Sequence, residues 1–324
     1  MRKKLENYAF SKQEIKILRE IAGENHSLSS IRKNLSIKSS LLSYNLKRLS
    51  KKGVIVFQKD ALSPGENREG RKKYVYFRDS KHAALLKELL LTYSHINWED
   101  VLSNLGLEVL FQISYRSTVS FENFSAVTFW RLSRDLMAHG IIESDRSIFK
   151  INSRFSILTD FLKEYERHII TTVMNSVSEM AVILWQKDME CLVRMPPSVK
   201  VNQKGFLKTA TSLFGNFGIK LLTNSEVYFY SKKRTRIRVE DAVLHTLLID
   251  RNNVRYVTYS LLLLKKELAQ IDKGYLLKEA TSLELSLQVN AMLEFLGAKG
   301  ARKGLTLPTW SEFVSKARDY GVAD

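Results

Sequence analysis

Apolar side chains recur at helical spacing in three stretches of the first fifty residues. The first begins at Ser11, which stands three residues before Glu14 as in a capping box, and it ends near Gly23. A short second stretch follows Ser27, and a third covers residues 38–51 with leucines along one face. The pattern predicts a short helix between two longer ones.

Two strand-like runs, residues 54–57 and 73–77, follow these helices. The polar residues 60–71 between them contain one proline and two glycines, which predicts a turn. Ser80 then predicts the start of a further helix. Three helices followed by a two-stranded hairpin predict a winged helix-turn-helix domain over residues 1–95.

The same order of elements recurs further along the chain. Helical spacing covers residues 98–112 and 128–138, and a hairpin is predicted around Asp145 and Arg146. The run LSRDLMAHGIIE has the apolar pattern of the earlier run LKRLSKKGVIVF. This similarity predicts an internal duplication, with a second winged-helix-like domain over residues 96–179.

The second copy differs from the first in chemistry. Its equivalent helix offers one aromatic and three charged side chains: Trp130, Arg131, Arg134 and Asp135. A structural or dimerising role is favoured for this copy, and a second DNA-reading role stays open.

A long helix is predicted from Ser153 towards Met174. Its apolar stripe consists of Phe155, Leu158, Phe161, Leu162, Tyr165 and Ile169. Two uses of this stripe remain open, which are pairing of two chains and packing within its own domain.

The last third of the chain, residues 180–324, mixes strand-like and helix-like patterns. Strands are predicted over 180–185, 191–195 and 226–230, and helices over 205–217, 242–249, 257–271, 282–296 and 309–320. The expected fold class is therefore mainly helical α+β, with tandem winged helix-turn-helix domains followed by a C-terminal α+β domain.

Composition agrees with a folded, helix-rich protein. Of 324 residues 44% are hydrophobic, and only 14 are glycine and 4 proline, which disfavours a β-sandwich with many turns. The single cysteine, Cys191, excludes an internal disulfide and a zinc site built on several thiolates. The start of the chain lacks the apolar core of a signal peptide, and no apolar run approaches a membrane span. A cytoplasmic protein without membrane contact is expected.

Net charge is uneven along the chain. The formal total is +17, of which residues 1–81 carry +12, residues 96–179 carry −3 and residues 180–324 carry +8. A strongly basic first segment predicts a polyanionic partner, most simply double-stranded DNA.

The predicted DNA contacts lie on the third helix and on the following turn. In a helix-turn-helix the start of the second helix of the motif enters the major groove, and basic residues beside it bind phosphates. The groove candidates are Lys38, Ser39, Ser40, Ser43, Tyr44 and Asn45. The phosphate candidates are Lys47, Arg48, Lys51 and Lys52 on the helix and Arg68, Arg71, Lys72 and Lys73 on the wing. A winged helix that binds protein instead is the alternative.

The run LSIKSSLLSYNLKRLSKKGVI resembles the recognition-helix region of MarR and ArsR type regulators. The resemblance covers residues 11–95. It implies a winged helix-turn-helix transcription regulator, in which a leucine and a serine-rich turn precede the recognition helix and a glycine separates that helix from a strand.

A second basic run is predicted in the last third, after the strand 226–230. Arg234, Arg236 and Arg238 would lie on one strand face, with Lys232 and Lys233 before them. They are candidates for contact with an anion or nucleic acid, and a solvated edge strand is the alternative. The overlapping run IRVEDAVLHTLLID resembles the C-terminal domains of AbiEi-type antitoxins, which implies a protein partner.

No catalytic pattern is recognisable in the sequence. The P-loop, dinucleotide-binding and HExxH motifs are absent, and the six histidines lack ligand spacing. His245, four residues after Asp241, is expected to make a surface or capping contact, and Cys191 is expected to be a buried structural thiol. No enzymatic activity, cofactor or metal is expected.

The sequence therefore predicts a sequence-specific transcription regulator that binds double-stranded DNA as a homodimer. Alternatives are a plasmid or viral replication initiator or partition factor, and an antitoxin-like regulator that binds a protein through its C-terminal domain.

Overall fold

The computed structural model divides the chain into two compact units, residues 1–171 and 172–324. It describes residues 8–23, 27–59, 73–103, 105–115, 125–145, 148–300 and 306–322.

The first unit consists of helices and two antiparallel hairpins. Its elements are α1 (Lys12–Ala22), α2 (Leu28–Asn34), α3 (Ser39–Lys51), β1 (Ile55–Lys59), β2 (Lys73–Phe77), α4 (Lys81–Thr92), α5 (Trp98–Val101), α6 (Leu105–Tyr115), α7 (Ala126–Ala138), β3 (Ile142–Asp145), β4 (Ile148–Ile151) and α8 (Ser156–Asn175), within which the boundary falls. The predicted order of elements is therefore found, and a single 3-10 turn at Ser153–Phe155 precedes α8.

The N-terminus of α1 has the predicted capping box. The Glu14 backbone N–H donates to Ser11 Oγ at 3.1 Å, and the Ser11 N–H donates to Glu14 Oε2 at 2.7 Å. These bonds satisfy backbone groups that a helix start would otherwise leave unpaired. Ile15, Leu18 and Ile21 are fully buried, which fixes the inner face of the helix.

The helix predicted over 98–112 is divided into α5 and α6. The chain leaves the helix at Leu102, and Ser103 forms a parallel β-bridge with Phe10. A continuous helix would lack that bridge, and a Cβ at Gly106 would lie only 2.3 Å from the Val101 carbonyl oxygen. A contact between residues distant in sequence therefore overrides the local helical pattern.

The two segments that the sequence separates near residue 95 lie within one compact unit. The fully buried indole of Trp98 donates to the Tyr93 carbonyl at 3.0 Å. The Tyr165 hydroxyl donates to the Tyr8 carbonyl at 2.8 Å, and its ring stacks on Phe10. Both segments therefore contribute to a shared core.

The apolar stripe of α8 packs inside its own unit. All six of its predicted members, from Phe155 to Ile169, are at most 2% exposed. The interpretation that this stripe pairs two chains is wrong, because no apolar surface is left on it for a second chain.

The second unit combines one antiparallel sheet with several helices. Its elements are β5 (Val182–Lys187), β6 (Glu190–Met195), β7 (Phe206–Lys208), a 3-10 helix (Ala210–Phe217), β8 (Glu226–Tyr230), α9 (Val239–Ile249), α10 (Val254–Lys266), α11 (Lys273–Ser282), α12 (Ser286–Ala298) and α13 (Trp310–Asp319). The strands form an antiparallel sheet in the order β5-β6-β8-β7. One buried apolar cluster contains side chains from the 3-10 helix and from each of the helices α9, α10, α11, α12 and α13.

Two predictions for this unit are wrong. Residues 205–217 are not one helix, because Phe206–Lys208 pairs with β8 and only the following residues coil into the 3-10 helix. The predicted helix 282–296 begins at Ser286, and α11 was not predicted. Glu284, with a positive φ of 60°, separates α11 from α12.

The fold is mainly helical α+β, as predicted. Among the described residues, no helix combines the length and the apolar character needed to cross a membrane.

Candidate nucleic-acid interface

Helix α3 has one buried face and one exposed face. Leu42, Leu46 and Leu49 are at most 4% exposed and fix the helix in the unit. The exposed side carries most of the predicted contacts: Lys38, Ser39, Ser40, Ser43, Tyr44, Lys47 and Lys51. Hydroxyl and ammonium groups on one accessible helix face can bond to base edges and phosphates.

The turn before α3 is fixed by side-chain and backbone bonds. Arg32 Nη1 donates to Ser39 Oγ at 2.9 Å, which joins α2 to the first residue of α3. The Ile37 N–H donates to the Arg32 carbonyl at 3.3 Å, and Ser36 has a positive φ of 50°. The first turn of α3 therefore starts from a defined position.

Two predicted contacts, one on α3 and one directly after it, are buried. Asn45 is 3% exposed, and its amide donates to the Leu41 carbonyl at 2.9 Å. Lys52 is 1% exposed, and its ammonium has internal partners. The assignment of these two residues to the DNA-contacting set is wrong, because neither side chain reaches the surface.

Lys52 instead joins the end of α3 to α1. Its Nζ lies 2.6 Å from Glu14 Oε2, donates to the Ala9 carbonyl at 2.7 Å and lies 5.0 Å from the centre of the Phe10 ring. Burial lowers the pKa of Lys52 to about 8, although the Glu14 carboxylate opposes this shift. The α1 capping residue Glu14 therefore also holds the end of α3.

Arg48 is held by the same carboxylate. Its Nε lies 3.1 Å from Glu14 Oε1, and its guanidinium lies 5.7 Å from the centre of the Tyr44 ring. The Arg48 side chain is 33% exposed, so it is paired with Glu14 and still partly accessible.

The predicted wing is described only at its base. Strands β1 and β2 pair in antiparallel register from Ile55 opposite Phe77 to Lys59 opposite Lys73. Arg68, Arg71 and Lys72 lie outside the described residues, and for Lys73 only the backbone is described.

Two stacked histidines underlie the end of α3. The His82 and His168 rings lie 4.2 Å apart, and His82 Nε2 is 3.1 Å from the Gly53 carbonyl oxygen. Burial, followed by repulsion from His168, lowers the pKa of His82 to about 4, and burial also lowers the pKa of His168. Both rings are therefore neutral at pH 7. No local pattern connects these residues, so sequence reasoning missed them.

The basic run of the second unit is not a strand. Strand β8 ends at Tyr230, and residues 231–238 form an irregular loop that leads into α9. The prediction that Arg234, Arg236 and Arg238 share one strand face is therefore wrong. The Ser231 hydroxyl accepts backbone N–H bonds from Lys233 and Arg234, which turns the chain away from the sheet.

The side chains of this loop are mostly engaged. Arg234 Nη1 donates to Asp241 at 2.7 Å and its Nη2 donates to Glu279. Arg238 lies 4.3 Å from the centre of the Tyr275 ring. Lys233 Nζ is 3.8 Å from Asp188, Lys232 is half-buried, and Arg236 is exposed.

The hydrogen bonds around Asp241 hold parts of the second unit together. The Tyr275 hydroxyl donates to Asp241 Oδ1 at 2.8 Å, and Asp241 Oδ2 accepts from the Arg238 N–H at 2.9 Å. The start of α9, the loop and α11 are thereby joined around one buried carboxylate. Arg234 is a poor candidate for binding an external anion, because its charge is already paired.

His245 is not at the surface, contrary to the prediction. It is 1% exposed, its Nδ1 is 2.8 Å from Thr209 Oγ1, and its ring stacks 4.2 Å from Phe229. Burial lowers its pKa to about 3, so the ring is neutral. Cys191 is buried as predicted. Among the described residues, no group of three or more histidine, cysteine or carboxylate side chains could hold a metal ion.

The second unit contains a stretch that is similar to a protein family. A family model described as HVO_2833_C, C-terminal, matches residues 203–322, a stretch that contains the Arg234 network. Neither a search of curated proteins nor a search of solved structures found a match. The second unit is therefore similar to that family over α9 to α13 and the strands β7 and β8, and the description of the family states no ligand or activity.

Proposed function

We propose that the protein is a sequence-specific regulator of transcription that binds double-stranded DNA through α3. The observation that carries this proposal is the division of α3 into a leucine face, which is buried, and a face of serine, tyrosine and lysine side chains, which is exposed. The order α1-α2-α3-β1-β2 supports a winged helix-turn-helix arrangement, in which this face enters the major groove.

Charge favours DNA over a protein as the ligand of this surface. The carboxylate of α1 nearest to α3, Glu14, is buried and paired with Lys52 and Arg48. Lys38, Lys47 and Lys51 are exposed on or beside α3, where they could neutralise phosphates. Binding as a homodimer is part of the proposal, since operators are often palindromic.

The test is the salt dependence of duplex binding by the full chain. Replacing Lys47 and Lys51 with alanine should weaken binding to a random 30-base-pair duplex. It should also reduce the slope of log K against log salt by about 0.9 for each phosphate that the variant no longer neutralises. A control that replaces two exposed lysines elsewhere in the unit, Lys87 and Lys163, should keep the wild-type slope. An α3 variant that binds like this control would refute the proposal.

A further inference from the structure

Three of the eleven carboxylates in residues 96–179 form ion pairs inside the first unit. Glu99 binds Arg19 with an N–O distance of 3.1 Å, and Asp100 binds Lys12. Glu164 binds both Lys81 at 2.8 Å and Arg167 at 3.0 Å. These three carboxylates neutralise cations away from α7, so the net charge of residues 96–179 does not describe the α7 surface.

The α7 surface is basic and aromatic. Arg131 and Arg134 are exposed and, within the described part of the chain, have no ion-pair or hydrogen-bond partner. Trp130 is 52% exposed and Val127 is 79% exposed. Asp135 is the one carboxylate of α7; it directly follows Arg134 and lies four residues after Arg131, so the helix carries two guanidinium groups against one carboxylate.

The backbone around α7 repeats that around α3. Both helices have thirteen residues, and each is followed by a glycine with a positive φ, 70° at Gly53 and 64° at Gly140. The backbone bond from Val54 to Leu49 recurs from Ile141 to Leu136. The offset of 87 residues places Arg134 at the position of Lys47 and Arg131 at that of Tyr44.

We propose that α7 is a second DNA-contacting helix, which binds the same duplex as α3 through Arg131, Arg134 and Trp130. This inference rests on the proposed function of α3. Two unpaired guanidinium groups on an accessible helix face complement phosphates or guanine edges, and an exposed indole supplies apolar contact with bases. The first turn of α7 is capped and accessible to DNA. Ser125 Oγ accepts from the Thr128 N–H at 3.2 Å, and the side chains of residues 126 and 127 are exposed.

The β3–β4 hairpin does not oppose this contact. Its Phe149 packs on Phe129 and Trp130 with ring centres 5.1 Å and 5.8 Å apart. Phe149 pairs with Ser144, so Glu143 and Asp145 alternate to the other side of the hairpin, away from α7. Those carboxylates therefore lie off the face that carries the two arginines.

The experiment compares three double variants of the full chain on a random 30-base-pair duplex across a salt series. Arg131→Ala with Arg134→Ala should weaken binding roughly tenfold or more near 0.1 M salt. It should lower the salt slope by up to about 1.8 if both arginines contact phosphates. Lys47→Ala with Lys51→Ala tests α3, and Lys87→Ala with Lys163→Ala removes the same charge from α4 and α8.

The outcomes separate the two proposals. If the α3 variant binds weakly and the α7 variant binds like the α4 and α8 control, the inference is overturned and the proposed function stands. If all three variants bind like the wild type, both fall. Sedimentation of the free α7 variant is measured in parallel. A loss of DNA binding that follows a fall in oligomeric mass assigns this face to a second copy of the chain and overturns the inference.

Trp130 provides a readout that does not depend on charge. If α7 contacts the duplex, DNA should protect part of the wild-type tryptophan fluorescence from acrylamide quenching, and Trp130→Phe should remove that protection. Equal protection in the wild type and in Trp130→Phe would overturn the inference, because the other tryptophans would then account for the signal.

Discussion

The two copies of the helix–glycine–strand segment show how one backbone can carry different surfaces. After α3, Gly53 leads into β1, and after α7, Gly140 leads into β3, with the same cap bonds. The positions that follow the helices differ sharply in burial. Lys52 is buried on Glu14, whereas its counterpart His139 is exposed.

The first copy is therefore held in the unit by buried ion pairs, and the second copy is held by contacts between aromatic side chains. The end of α3 is held through the Glu14, Lys52 and Arg48 network. The middle of α7 is held by aromatic contacts of Phe129 and Trp130 with Phe149. Because contacts on the buried side fix each helix, the residues on its exposed side can differ without moving the helix.

The largest expected effect comes from breaking the charged anchor. Glu14→Ala leaves the Lys52 ammonium buried without its carboxylate, which should lower the free energy of unfolding by about 3–5 kcal/mol. His139→Ala, at the exposed position that corresponds to Lys52, should change it by less than about 0.5 kcal/mol. Urea denaturation followed by circular dichroism measures both. Equal losses in the two variants would contradict the difference between the copies.

The next effect comes from the two glycines. Both have a positive φ, which costs an alanine about 1–2 kcal/mol in either copy. A Cβ at Gly53 would lie 2.4 Å from the His168 ring, whereas a Cβ at Gly140 would meet the far end of the exposed Arg154 side chain, which can move. Gly53→Ala should therefore cost more than Gly140→Ala, by about 1 kcal/mol or more. The reverse order in thermal unfolding would show that the histidine pair is not rigid.

A third effect should depend on pH. The pKa of His82 falls from 6.5 in the unfolded chain to about 4 in the fold. Between these values the unfolded chain binds a proton that the folded chain does not, so stability should fall as pH decreases from about 6.5 to 4. His82→Phe should remove about 1–3 kcal/mol of this loss, while His168 and His245, whose pKa values burial also lowers, contribute to the rest. Denaturation midpoints at pH 7 and pH 4.5 give the comparison, and an unchanged pH dependence in His82→Phe would contradict it.

Local patterns were sufficient for most elements of the fold. The capping box at Ser11 and the leucine spacing of α3 specified helices, and the β-branched run after Gly53 specified a strand, because these signals lie within a few residues. The repeated helix–glycine–strand segment is recognisable for the same reason, since the apolar order of α7 and β3 is similar to that of α3 and β1.

Contacts between distant residues account for what the sequence did not reveal. The local pattern predicts a surface cation at Lys52, because its partner Glu14 lies 38 residues earlier. The pattern likewise places Arg234 on a strand face, although its partners include Glu279, 45 residues later. A charge pattern alone does not distinguish a solvated cation from a buried, paired one.

The most direct test of the central claim is whether the exposed face of α3 reads sequence. Binding of the full chain to its own promoter fragment is compared with binding to random duplex at fixed salt, for the wild type and for Ser43→Ala with Tyr44→Ala. We expect the wild type to prefer the promoter by at least about a hundredfold. The variant should still bind random duplex but discriminate less, by about 1–3 kcal/mol for each base that it no longer reads. A variant that keeps the full promoter preference, or a wild type that has none, would contradict the account.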